Sequence, residues 1–219
     1  MKNNTTTQII AKEGWKYLLL LFVAFLISLV FDLFSWVFLV LLFFTAYMFR
    51  NPERLPAEDD DMAVLSPCDG NITSISKASY NDGKEYIKVE IQKTLLEASM
   101  LRAPTLMNIK KTTRRYGLML SSNSFLRDKL GERATITCSS RYSELFININ
   151  AGIFARKIEL FKTVGPLKSA QRFGILVDGN IELYLALDTR IKVSVGDYVK
   201  AGESVLGYFA HKGDLNDKQ

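Results

Sequence analysis

The chain has 219 residues, of which 48% are hydrophobic and 23% charged, with a net charge of +5. A single histidine, His211, excludes multi-histidine metal sites and argues against a histidine-based triad, while two cysteines about 70 residues apart, Cys68 and Cys138, make neither a zinc cluster nor a disulfide framework and fit a reducing compartment. A mean hydropathy of +0.07 in a chain this charged means that the apolar residues are concentrated in one place.

That place is Tyr17 to Met48, an apolar run broken by one charge, Asp32. An aspartate at the centre of a single span is costly, and splitting the run there gives two arms of about 15 residues, each reaching roughly 23 Å against a hydrocarbon core of ~30 Å. The run therefore predicts a tight or re-entrant helical hairpin, with Phe31, Phe34, Trp36 and Phe38 facing lipid. Lys12 and Lys16 precede it and Arg50 and Arg54 follow it, which puts both ends on the cytoplasmic side of a bacterial-type inner membrane. The expected organisation is an N-terminal segment (1–16), the hairpin (17–48), a linker (49–64) with the acidic run Glu58 to Asp61, a β domain (65–212) and a tail (213–219).

Beyond the linker, short alternating segments at 71–75, 86–92, 134–138, 145–151 and 181–187 are separated by turns such as Asp178-Gly179-Asn180 and Val195-Gly196-Asp197, a pattern of antiparallel strands. Only Leu95 to Leu101 and Ser124 to Leu130 have room for short helices. The predicted fold class is β-rich, a hammerhead or barrel-sandwich-like domain after the hairpin, with no Gly-rich phosphate loop. The charge excess after Arg50 is too small to argue for nucleic acid. Lys93, Lys110, Lys111, Arg114 and Arg115 form a loose basic stretch, read as a solvated strand edge or a contact for anionic headgroups.

Six motifs follow in order: Arg50-Asn51-Pro52-Glu53-Arg54, Ser66-Pro67-Cys68-Asp69-Gly70, Leu101-Arg102-Ala103-Pro104, Ala151-Gly152-Ile153-Phe154-Ala155-Arg156, Arg172-Phe173-Gly174, and Val195-Gly196-Asp197 with Ala201-Gly202-Glu203. In that order and spacing the chain resembles the short, membrane-anchored phosphatidylserine decarboxylases over nearly its whole length after Lys16. The resemblance implies an enzyme that cleaves itself at a Gly-Ser bond. The new N-terminal serine becomes a pyruvoyl group, which takes the substrate amine as a Schiff base and draws off the electrons released by decarboxylation.

Carried over residue by residue, the family aspartate falls on Asp69. The family histidine, three residues before the Arg of Arg-Ala-Pro, falls on Ser99. The cleavage pair falls on Gly179 and Asn180, with one residue fewer before Tyr184, so that only Asp69 and Gly179 match. An amide at 180 cannot form the ester intermediate, and the serines after Arg172, Ser194 and Ser204, do not follow a glycine.

The expectation is a family relative of phosphatidylethanolamine metabolism without self-cleavage, with no cofactor and no metal. Its partners would be phosphatidylserine or phosphatidylethanolamine in the membrane, engaged by Arg102 and Arg156, or another phospholipid-synthesis enzyme. Two other readings stay open. One is an active decarboxylase with divergent site residues and a pyruvoyl group; the other is a membrane-anchored β-barrel adaptor.

Overall fold

A computed structural model describes residues 14–31, 34–50, 52, 54, 60–80, 83–120, 126–155 and 158–210. Asp32, Arg156, His211 and the tail therefore lie outside the described residues. Two helices come first, α1 (Trp15–Val30) and α2 (Ser35–Met48), and they lie against one another. Neither has an acidic first turn, a basic last turn or a side-chain cap, so little in their ends stabilises them as free helices in water. Their apolar side chains are largely uncovered: Val30 is 81% exposed, and Phe31, Phe34 and Trp36 are also exposed, while Phe38 is half-buried. No helix among the described residues is long and apolar enough to cross a membrane.

The rest of the described chain is β-rich, as its alternation predicts. The strands are β1 (Ala63–Leu65), β2 (Gly70–Ser79), β3 (Glu85–Lys93), β4 (Met100–Arg102), β5 (Met107–Arg115), β6 (Arg133–Ser140), β7 (Glu144–Ala151), β8 (Glu159–Leu160), β9 (Gly165–Leu167), β10 (Arg172–Ile175), β11 (Gly179–Ala186), β12 (Arg190–Ile191), β13 (Tyr198–Val199) and β14 (Val205–Tyr208). A short helix, α3 (Arg127–Leu130), precedes β6. The helix expected over Leu95 to Leu101 is not formed. Residues 95–97 turn and β4 follows, because Met100, Leu101 and Arg102 gain ladder partners on β10 that an isolated two-turn helix would forgo.

The main sheet runs β13-β2-β3-β11-β7-β6-β5-β9, and two three-stranded sheets, β1-β14-β12 and β4-β10-β8, complete the domain. Period-2 alternation divides the main sheet into two chemically different faces. One carries Val89 and Ile91, Ile181 and Leu183, Ile147 and Ile149, and Ile136, all in the apolar core with Leu101, Phe173, Leu176 and Leu206. The other carries Tyr86, Glu182, Tyr184, Phe146, Asn148 and Asn150, also buried. There Tyr80 stacks on Phe146 with ring centroids 4.0 Å apart.

Six strands place one terminus at the same end of this sheet. The register pairs Gly179 with Lys93 and with Ala151, Asn71 with Gln92, Arg133 with Asn150 and Arg115 with Arg133. Gly70 opens β2 at φ 154°, and a Cβ there would lie 2.1 Å from the Gln92 carbonyl oxygen, so the two strands approach only because residue 70 has no side chain. Gly70→Ala is expected to destabilise the domain by about 3 kcal/mol or more, through backbone strain and displacement of β3. The midpoint of chemical denaturation of the full chain measures it, and a change within ~0.5 kcal/mol would contradict this account.

Candidate functional site at the glycine end of the main sheet

Asp69 sits in the turn that leads into β2 and is fully buried. Its carboxylate does not cap its own turn. It accepts both terminal nitrogens of the Arg54 guanidinium, the Nη2 contact at 2.7 Å, and the Ala201 N–H at 2.7 Å. Burial pushes the carboxyl up, but the Arg54 hydrogen bonds, the Ala201 N–H and the Arg54 charge outweigh it, so Asp69 lies below the ordinary carboxylate range. Arg54 also lies 3.8 Å from Glu203. The sequence marks Arg54 as a flanking charge and as the end of the first family motif; the structure makes it the counter-ion of the family aspartate.

Ser99 is buried just before β4. Its hydroxyl donates to the Met48 carbonyl at 2.9 Å, and its own carbonyl accepts the Leu176 N–H at 2.9 Å. Position 99 therefore joins the end of α2 to the segment that leads to Gly179. The Arg50 guanidinium lies 4.0 Å from the Tyr47 ring centroid and donates to the Leu96 carbonyl at 2.9 Å. Arg102 donates to the carbonyls of Ala170 (3.1 Å) and Pro52 (2.8 Å). The structure thus shows Arg102 engaged with backbone, while Arg156 lies outside the described residues.

Lys93 separates from the basic stretch in which it was grouped. Lys110, Lys111, Arg114 and Arg115 are exposed on β5, whereas Lys93 ends β3 on the core side and is fully buried. Its ammonium donates to the carbonyls of Thr94 (3.2 Å) and Glu97 (3.1 Å). Burial holds Lys93 below the usual lysine range; the nearby Cys68, Glu97 and Asp69 pull upward without prevailing, and Arg50 pushes in the same direction as burial. Burial likewise pushes the Cys68 thiol up, so it is not a thiolate nucleophile. Nothing in the local sequence marks Lys93 except its place at the edge of an apolar strand.

Gly179, at φ 144°, faces Lys93 across the β3–β11 ladder, and a Cβ on it would meet the Asn150 carbonyl oxygen at 2.1 Å. Asn180 is buried with its side chain on the other face of the sheet, where its amide donates to Glu90. Glu90 lies 3.5 Å from Lys88, which lies 3.3 Å from Glu182, and Glu182 accepts from Asn148 (3.1 Å) and Tyr184 (3.2 Å). The four carried-over positions are thus divided. Asp69, Ser99 and Gly179 belong to the core side and the turns around it, whereas the Asn180 side chain is turned away. Asp178, which sequence reasoning treated only as part of a turn, accepts the Phe154 N–H at 3.1 Å and fixes the 152–154 loop beside Gly179.

Two measurements test these electrostatics. Asp69→Asn leaves the mostly buried Arg54 without its main counter-charge and is expected to cost about 3 kcal/mol. The folded carboxyl is depressed, so its contribution is complete above the unfolded value near pH ~4 and is lost as pH falls through the folded value; the variant's acid denaturation limb is therefore flatter. Lys93→Met removes an amine that binds protons less readily when folded than when unfolded. Wild-type stability should gain on the variant as pH rises toward the ordinary lysine value near ~10, and parallel curves on that approach would refute a depressed amine.

The comparisons with known proteins agree with the geometry. The sequence model of the family described as phosphatidylserine decarboxylase matches residues 41–207. A protein of Desulfotalea psychrophila named phosphatidylserine decarboxylase proenzyme is 34% identical over 182 residues, covering 80% of this chain and 84% of its own. A Burkholderia cenocepacia protein of the same name is 32% identical over 206 residues, 90% of this chain and 95% of its own. A match that spans the strands around Asp69, Ser99 and Gly179 makes this chain a member of the phosphatidylserine decarboxylase family, among the proteins of phospholipid metabolism.

Proposed function

We propose that this chain is an unprocessed family member that sits on the cytoplasmic face of a bacterial-type inner membrane and engages aminophospholipid there without pyruvoyl catalysis. The observation that carries this is the Gly179-Asn180 junction. The residues present do not fit a pyruvoyl group made at that bond: the group needs a serine hydroxyl that attacks the preceding carbonyl, and position 180 offers an amide held by Glu90 on the opposite sheet face. The histidine that would activate such a hydroxyl is replaced by Ser99, whose hydroxyl is committed to the Met48 carbonyl.

Membrane attachment is supported by the uncovered apolar surface of α1 and α2, larger than a water-exposed domain leaves open. At 16 and 14 residues they reach roughly 24 and 21 Å. Those lengths favour a tight or re-entrant hairpin over two full spans. The partners that fit the family are phosphatidylserine or phosphatidylethanolamine, or an enzyme that handles them.

Intact mass tests the reading. The full chain should run as one species at 24.8 kDa, gain no adduct from hydroxylamine or borohydride, and release no carbon dioxide from phosphatidylserine. Two chains or a carbonyl adduct would establish the active alternative. The double variant Ser99→His with Asn180→Ser should also remain uncleaved, because a side chain at 180 points at Glu90. Cleavage of that variant would show that face orientation is not the obstacle.

A further inference from the structure

We propose that the glycine end of the main sheet is a second lipid-contact surface, separate from the helices: a collar of loop side chains that rests in the interface of an anionic bilayer. The inference rests on the membrane reading above and adds to it a surface on the β domain itself.

Six large apolar side chains project from three connections at this one end. Leu96 follows β3; Tyr116 and Leu118 follow β5; Leu130 precedes β6; Ile153 and Phe154 follow β7. All are exposed, Tyr116 most of all at 81%. They are not fraying ends. Leu118 and Leu130 are tied by a backbone bond of 2.7 Å, and the Phe154 N–H is held by Asp178. Aromatic and aliphatic side chains held outward around one end of a sheet form a patch of the kind that marks a contact surface.

The charges on the same loops select the occupant. Arg114 and Lys129 are exposed among the apolar residues. The described carboxylates here are engaged with the protein: Asp69 with Arg54, Asp178 with the Phe154 N–H, Glu132 with the Ile158 N–H at 3.2 Å, and Glu97 with the Thr94 N–H at 2.6 Å. Exposed basic side chains, carboxylates that are at least partly covered and hydrogen-bonded to the protein, and aromatic residues between them are complementary to an anionic headgroup layer over an apolar interior. Position agrees, since the base of α2 is pinned to this end by Ser99 on Met48 and Arg50 on Leu96. A bilayer that takes the helices meets the collar.

The test uses the full-length chain with single cysteines at Leu118→Cys and Phe154→Cys, and at Asp188→Cys, which is exposed at the opposite end of β11. Cys68 and Cys138 are buried and do not compete for label in the folded protein. An environment-sensitive fluorophore is attached and the chain is mixed with phosphatidylglycerol–phosphatidylethanolamine vesicles with or without brominated acyl chains. Emission at 118 and 154 should move to shorter wavelength and be quenched by the brominated lipid, with position 188 unchanged. Quenching should weaken in vesicles of phosphatidylcholine alone. If the chain floats with the vesicles but all three labels stay water-like, the collar is wrong and the helical attachment stands. A blue shift without bromine quenching means another protein surface covers the patch, which also overturns the proposal. Quenching equal in neutral and anionic vesicles removes the charge selection. A chain that does not float at all refutes the membrane reading, and the collar with it.

Discussion

The Arg54–Asp69 ion pair ties the two parts of the molecule together. Asp69 is fully buried, and an unpaired carboxylate in that position would cost several kcal/mol. Its charge is answered from a residue just after α2, so the β domain is electrically complete only when the chain leaving the helices lies across the end of the sheet. Arg102 on the Pro52 carbonyl, Arg50 on the Leu96 carbonyl and Ser99 on the Met48 carbonyl secure the same strap at three further points. The residues that resemble a catalytic motif therefore also do the mechanical work of docking the helices.

A second constraint comes from the pleat. Adjacent residues on a strand face opposite sides, so a register change of one residue exchanges what lies in the core for what lies outside it. Tyr184, further along β11, lies in the aromatic cluster with Tyr86 and Phe146. Gly179 faces Lys93 and the core, while Asn180 faces Glu90. The residue that Gly179 pairs with across the ladder thus carries a buried amine of depressed basicity.

Much of this was legible in the sequence. Alternation marked the long strands because one face of each is apolar, and motif order marked the family because turns such as Asp69-Gly70 demand particular residues wherever the backbone must approach a neighbour. Three things were not legible. Lys93 looked like one charge in a basic stretch because burial depends on what covers a strand end, which no local window contains. Arg54 looked like a topology signal, since its partner is supplied by a turn 15 residues away. The turn at 95–97 looked helical because composition cannot show that Met100 to Arg102 have strand partners on β10.

The polar face of the sheet holds the Asn180 side chain where it is. Glu90, Lys88 and Glu182 form a chain of charge: remove the Asn180 amide and Glu90 loses one of its donors, with Ser74 and Lys88 remaining. The network is not perfectly satisfied, for Asn180 Oδ1 and Asn150 Nδ2 lack partners although the register sets the two residues opposite each other. A face built for folding alone would be filled more cheaply with apolar residues, as the core face is. Its retained charges fix the register of β3, β11 and β7 more tightly than shape would, since a slip would bury Glu182 among isoleucines. That same register keeps Gly179 over Lys93, so the chemistry of the site and the polar order of the opposite face are set by one pairing of strands.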